Sequence, residues 1–279
     1  MHLKLGKFEI DVVSDGNFLL DGGTMFCMVP KVVWSRDVSV DTNNMAAWGT
    51  NCLVISDGRI KVLIETGFGN KLTERQLKMY GRSSDTLLDC GLARLGWSVK
   101  DIDVVIPTHL HIDHAGGLTE RDPDKLRPRF PKAKYMLQKK EYEAATHTHR
   151  LSRGSYIADN FVPVVEAGQV EWLDGDSEIL PGIEISLTGA HTAGHQVVKI
   201  SSQGQILFCG GDLIPARWFV RETYVTSYDL CPVDVMNIKT RWLEQGKEEG
   251  WIFHWYHDPE IPFGKVGYEG DNFIPKMLA

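Results

Sequence analysis

Between Val104 and His114 a short apolar run, Val104-Val105-Ile106, passes through Pro107-Thr108 into His109-Leu110-His111-Ile112-Asp113-His114, and no other feature constrains the chain so tightly. Three imidazoles beside a carboxylate gain little from packing and repel one another once protonated, so the segment wants open solvent or a cation. Leaving a strand, alternate residues point the same way. His109 and His111 can therefore face one ion, while Asp113 and His114, a short turn later, face a second. The competing reading is a solvated His-rich loop, or a helix start capped by Asp113.

Three distant segments weigh against the solvated loop. His191 sits in Thr188-Gly189-Ala190-His191-Thr192-Ala193-Gly194, where small residues let a backbone approach closely at the end of an expected strand. Asp212 follows Phe208-Cys209-Gly210-Gly211, a carboxylate delivered by two glycines, although a turn acid or helix cap would read the same way. In Ile252-Phe253-His254-Trp255-Tyr256-His257-Asp258-Pro259 two histidines compete. His257, at the strand's exit, is the better ligand, and His254, inside the apolar run, is read as a core histidine.

The rest of the sequence bounds the class. Hydrophobic residues make up 43% and charged residues 24% of the 279, an ordinary globular balance for one domain spanning 1–279. A formal charge of -7 with no dense basic run gives no support to a nucleic-acid-tracking surface. The charged N-terminus and the lack of any long apolar run point to a cytoplasmic protein with no membrane partner. Five scattered cysteines, with no C-x-x-C pair, read as free thiols. Strands are expected at Phe8–Ser14, Asn51–Ile55, Ile60–Ile64, Val104–Ile106, Ile183–Leu187, Val197–Ser201, Gln205–Cys209 and Trp251–Trp255, with a hairpin turn at Asp57-Gly58. Helices are expected at Ser84–Leu95, Gln138–Ala145 and Val233–Glu249. This order suggests two sheets covered by helices.

In order, His109, His111, Asp113, His114, His191, Asp212 and His257 resemble the five motifs of the metallo-β-lactamase superfamily, from about Thr50 to Pro259. The Glu65-Thr66-Gly67 turn belongs to the likeness, with Glu where the family commonly has Asp. The resemblance implies an α/β fold, a four-layer αββα sandwich, with metals in the cleft between the sheets. It implies that His109, His111 and His191 hold a first ion, that Asp113, His114 and His257 hold a second, and that Asp212 bridges both. A bridging acid, rather than a cysteine, sets the chain apart from the antibiotic-degrading branch. The resemblance is to the N-acyl homoserine lactonase and methyl parathion hydrolase branch, with glyoxalase II further away.

Two divalent ions sharing Asp212, with zinc expected before iron, manganese or cobalt, would activate a bridging hydroxide, with Asp113 as proton shuttle. Such a site hydrolyses an ester, lactone, thioester or phosphoester, with phosphotriesters as promiscuous substrates. In the lactonases a tyrosine three residues after the bridging Asp holds the substrate carbonyl, and here that position is Pro215. Tyr224 and Tyr228 are the candidate replacements. Substrate contacts are expected from Met25 and Phe26, in a segment (15–45) read as a lid or dimerisation element, and from Trp218 and Phe219. Together they favour a small hydrophobic ester or lactone and make a homodimer plausible. The alternatives are a glyoxalase II-like thioesterase, which should carry a basic patch, a di-iron oxidoreductase, which should carry a flavin domain, and a non-catalytic metal binder.

Overall fold

In the computed structural model, residues 1–83, 85, 87–122 and 125–278 are described. The first part of the chain supplies the strands His2–Leu5 (β1), Phe8–Asp21 (β2), Met45–Ser56 (β3), Lys61–Ile64 (β4), Val104–Ile106 (β5), Thr119–Asp122 (β6), Lys125–Pro128 (β7), Lys134–Gln138 (β8) and Val170–Leu173 (β9). The second part supplies Ser177–Leu180 (β10), Ile183–Leu187 (β11), Gln196–Ser202 (β12), Gln205–Cys209 (β13), Ile252–His254 (β14), Phe263–Glu269 (β15) and Asn272–Met277 (β16). One sheet runs β1-β2-β3-β4-β5-β8-β9 and the other runs β10 to β16 in sequence order, while β6 and β7 form a small hairpin of their own. The helices are Gly22–Phe26 (α1), Lys31–Trp34 (α2), Glu74–Tyr80 (α3), Leu87–Arg94 (α4), Ile112–Ala115 (α5), Lys139–Thr146 (α6), Val162–Glu166 (α7) and Pro232–Glu248 (α8).

Three apolar clusters make this a four-layer αββα sandwich. Ile10, Ile55, Val62 and Ile64 of the first sheet meet Ile183, Val198, Ile200 and Leu207 of the second, and each buried side chain of this size contributes about 1.5–3 kcal/mol. Leu88 and Leu92 of α4 and Val164 of α7 cover the outer face of the first sheet. Val235 and Leu243 of α8 cover the second together with Phe26 and Trp34, so part of the N-terminal segment is built into the core. No helix among the described residues is long and apolar enough to cross a membrane.

The expected elements are present, and several are longer. Asp57-Gly58 turns β3 into β4 in antiparallel register, with the Asp57 carboxylate accepting from the Arg59 and Ile60 amides. The expected strand Phe8–Ser14 continues to Asp21 through a register shift between Ser14 and Asn17, which redirects Phe18 and Leu20 towards the cleft. The expected start of the helix at Ser84 lies outside the described residues. Beyond Pro259, where the motif resemblance ends, β15 and β16 complete the edge of the second sheet. The parallel strands β5, β13 and β14 all end at one rim of the sandwich, and His109, Asp212 and His257 follow them directly.

Candidate metal centre

Each histidine and acid leaves a strand through a turn that leaves it little freedom. Past β5, α5 begins directly after His111, and its C-terminal end packs against the Thr66–Phe68 turn so closely that a Cβ on Gly116 would lie 2.1 Å from the Phe68 carbonyl oxygen. The Thr66 amide and hydroxyl both donate to the His114 carbonyl, at 3.0 and 2.7 Å. The main chain of the motif is thus fixed before its side chains are considered.

Those side chains converge in two groups: His109, His111, His191 and Asp212 in one, and Asp113, His114 and His257 in the other. The Asp212 carboxylate divides itself between them. Its Oδ1 lies 3.2 Å from His114 Nε2 and 3.1 Å from His257 Nε2, while Oδ2 lies 3.3 Å from His191 Nε2 and 4.0 Å from His109 Nε2. Asp113 Oδ2 lies 3.5 Å from His257 Nε2.

The outer nitrogens decide which lone pairs face inward. His257 Nδ1 donates to the Gly49 carbonyl at 2.8 Å, and His191 Nδ1 donates to the Asp229 carboxylate at 2.6 Å. His114 Nδ1 lies 3.1 Å from Glu65 Oε1. Thr108 Oγ1 donates to that same carboxylate at 2.6 Å, and so accepts from His109 Nδ1 at 3.0 Å. With Nδ1 spent on hydrogen-bond partners, His109, His191 and His257 present a bare Nε2, while His114 Nδ1 stands beside the Glu65 carboxylate without a hydrogen bond among the described residues. His114 Nε2 and His257 Nε2 then stand 3.1 Å apart, and His191 Nε2 stands 3.2 Å from His111 Nδ1. In the ligating tautomers these facing lone pairs repel, and His109 Nε2 and Asp212 Oδ1 are buried with no hydrogen-bond partner among the described residues. A cation between them resolves both problems, so the donor set fits two divalent ions.

Titration follows the same logic. Burial, reinforced by neighbouring imidazoles, holds His109 and His111 well below the usual histidine range and keeps them neutral, the form that ligates. Burial also opposes charge on His114 and His191. There the Asp212 carboxylate, aided by Glu65 and Asp229 respectively, outweighs it and raises both, so positive charge is favoured at this point. His254 belongs elsewhere: burial lowers it to about 3, and its Nε2 donates to the Asn51 carbonyl at 2.8 Å. Cys209 is buried inside β13.

A narrow cavity of about 40 Å³ opens onto the cluster, lined by Phe18, Leu20, Met25, Phe68, Ile112, Tyr80, Ser155 and Tyr228 beside His111, Asp113, Asp212 and His257. A second cavity of about 80 Å³ shares His111, Ser155 and Tyr228 and adds Ser152 and Ser227. Of the expected substrate contacts, Met25 and Tyr228 are at the cleft. Phe26, Phe219 and Tyr224 are not: Phe26 is fully buried, stacked on Trp34 and Phe219, and Tyr224 takes an Arg221 hydrogen bond at 2.9 Å behind that stack. Trp218 faces a separate surface cavity with Arg217 and Arg221. The reason lies in α8, whose buried Lys239 ammonium donates to the Arg221 and Tyr224 carbonyls and draws that end of the loop away from the cleft. Sequence reasoning missed Asp229 as the partner of His191, and Phe18, Phe68 and Tyr80 as walls. Pro215 has its own task, since its carbonyl accepts from the His257 amide at 2.7 Å.

Histidines and acids gathered at the strand ends of an αββα sandwich define a metal-dependent hydrolase. The chain belongs to the metallo-β-lactamase superfamily, whose sequence model matches residues 45–259. The N-acyl homoserine lactonase AiiA of Bacillus thuringiensis subsp. kurstaki is 26% identical over 230 residues, covering 78% of this chain and 83% of that one. A crystal structure described as a probable metal-dependent hydrolase from Staphylococcus aureus superposes with a TM-score of 0.91 at 28% identity, over 99% of both chains. AidC, described as a dizinc quorum-quenching lactonase in complex with a product, shares the fold with a TM-score of 0.83 at 18% identity, over 100% of this chain and 97% of its own. Family and donor set together imply bound divalent metal ions.

Proposed function

We propose that this hydrolase opens a lactone or another carboxylic ester, with two divalent ions, zinc foremost, as its cofactors. The observation that carries the reading is Asp212, whose two oxygens face two separate histidine sets. His109, His111 and His191 would hold one ion, Asp113, His114 and His257 the other, and Asp212 would bridge them. When bound, such ions supply Lewis acidity, which lowers the pKa of water and polarises the scissile carbonyl. Of the acids in the cluster, Asp113 is the more open to the cleft, so its carboxylate can carry a proton from the attacking water to the departing alkoxide. The Tyr228 phenol is protonated at neutral pH, and from the cavity wall it can donate to the substrate carbonyl in place of the side chain that Pro215 lacks.

The lactonase name of the 26% identical relative supports a lactone, and the lining of Phe18, Leu20, Met25, Phe68 and Ile112 supports an apolar acyl portion. A tetrahedral phosphotriester places comparable demands on the same groups, so weak phosphotriesterase activity accompanies the reading. The lining includes no lysine or arginine among the described residues, which argues against an anionic glutathione thioester. The test is a hydrolysis screen of N-acyl lactones, aryl esters, thioesters and phosphotriesters with the zinc-loaded protein. Chelator-sensitive turnover of the lactones, with the apolar chains favoured, is the expected result. A clear preference for thioesters, or no turnover of any ester, would overturn the proposal.

A further inference from the structure

Glu141 lies in the first turn of α6 and is 1% exposed, yet it is neither a ligand nor a wall of the cleft. A buried carboxylate must be hydrogen-bonded to persist, and the partners of this one are informative. Its Oε1 accepts from the Leu110 amide at 2.9 Å and from the Tyr156 hydroxyl at 3.1 Å. Its Oε2 accepts from the Thr192 hydroxyl at 2.6 Å and from the Gly194 amide at 3.1 Å. Leu110 separates His109 from His111, the Tyr156 ring packs edge-on against His111 with centroids 4.8 Å apart, and Thr192 follows His191. One carboxylate therefore grips both loops that feed the first group of ligands. The fit is tight, because a Cβ on Gly194 would lie 2.1 Å from the Glu141 amide nitrogen.

The second group has other supports. Glu65 and Thr66 hold His114, the Tyr256 hydroxyl donates to the Asp113 carbonyl, and the Gly49 carbonyl holds His257. Resting on the two-ion reading above, we infer that Glu141 is a positioning residue for the first ion alone: it sets the spacing of His111 and His191 and leaves the second site untouched. In Glu141→Gln the new amide nitrogen must face one donor pair or the other, Leu110 with Tyr156 or Thr192 with Gly194, so one loop is released at nearly constant volume.

The experiment isolates each site by deleting a ligand of the other. Metal-free protein is titrated with zinc against a chromophoric chelator in two backgrounds, His257→Ala, which keeps the first site, and His191→Ala, which keeps the second. Glu141→Gln should weaken the ion held by His257→Ala roughly tenfold to a hundredfold, and should leave the ion held by His191→Ala unchanged. Thr192→Val should act in the same direction with a smaller effect, and it carries the test if the metal-free melting temperature shows that Glu141→Gln misfolds. Glu143→Gln, on the exposed side of the same helix, should change neither. Equal weakening in both backgrounds, or none in either, would overturn the assignment. An unmodified chain that binds a single zinc ion would overturn the two-ion reading and the assignment with it, and it shows itself before any change at Glu141.

Discussion

Asp229→Asn tests how the first site is built. The carboxylate has two occupied faces, Oδ1 accepting from His191 Nδ1 at 2.6 Å and Oδ2 from the Thr226 amide at 2.7 Å, and both are buried. The carboxamide can satisfy only one of these. If its nitrogen faces His191, the ring is driven to the tautomer protonated at Nε2 and loses the lone pair it aims at Asp212. If it faces Thr226, the loop that seats the side chain loosens. A buried donor left unpaired costs about 1–3 kcal/mol, which matches the roughly tenfold to hundredfold loss of affinity typical when a ligand's supporting partner is removed. Zinc titration of the metal-free variant should show one of two equivalents weakened by that factor, with ester hydrolysis returning in excess zinc because the defect lies in holding the ion. Asp234→Asn, on the exposed start of α8, serves as the control. If both equivalents bind Asp229→Asn as tightly as the unmodified chain, the deduced tautomer of His191 is wrong.

Further outcomes follow from the same contacts. Tyr228→Phe should keep both ions and lower kcat about a hundredfold, whereas Tyr224→Phe, whose hydroxyl meets Arg221 behind the cleft, should match the unmodified enzyme in the same steady-state assay. Gly116→Ala drives a methyl group onto the Phe68 carbonyl and should cost about 1–3 kcal/mol, seen as a lower melting temperature of the metal-free protein, while Gly154→Ala meets no neighbour within 4 Å and should be neutral. Burial lowers Lys239 to about 7 in the folded chain, whereas the unfolded amine titrates near 10.4. Between these values the unfolded state binds more protons, so Lys239 makes stability rise with pH across this window, by up to about 5 kcal/mol, and hold constant below it. Denaturant melts of metal-free Lys239→Met should lack that part of the rise, and parallel curves for the two proteins would contradict it.

How much of this was legible in the sequence depended on whether the signal was local. All the residues that converge at the centre are readable because each leaves a strand through a short turn, and because His109, His111, Asp113 and His114 share one segment. His257 was separable from His254 by its place at the strand exit, and the structure puts His254 in the core against Asn51. The walls gave no such signal. Phe18 reaches the cleft only because β2 shifts register after Ser14, and Tyr80 ends a helix whose place depends on packing against distant strands. Val170–Leu173 carries exposed Glu171 and Trp172 and shows no run that marks a buried strand. Tyr224 and Tyr228 are equivalent on paper, and Lys239, from another helix, decides between them. Glu65, longer than the aspartate common at its place, still reaches both Thr108 and His114.

The proposed centre acts only with two ions, bridged by Asp212. Stepwise zinc addition to the metal-free protein, with bound zinc and lactone hydrolysis read in the same sample, tests it most directly. Two equivalents should bind, with activity low after the first and complete only after the second, and Asp212→Ala should lose both binding and turnover. Full activity at a single equivalent, or hydrolysis indifferent to zinc, would contradict the account.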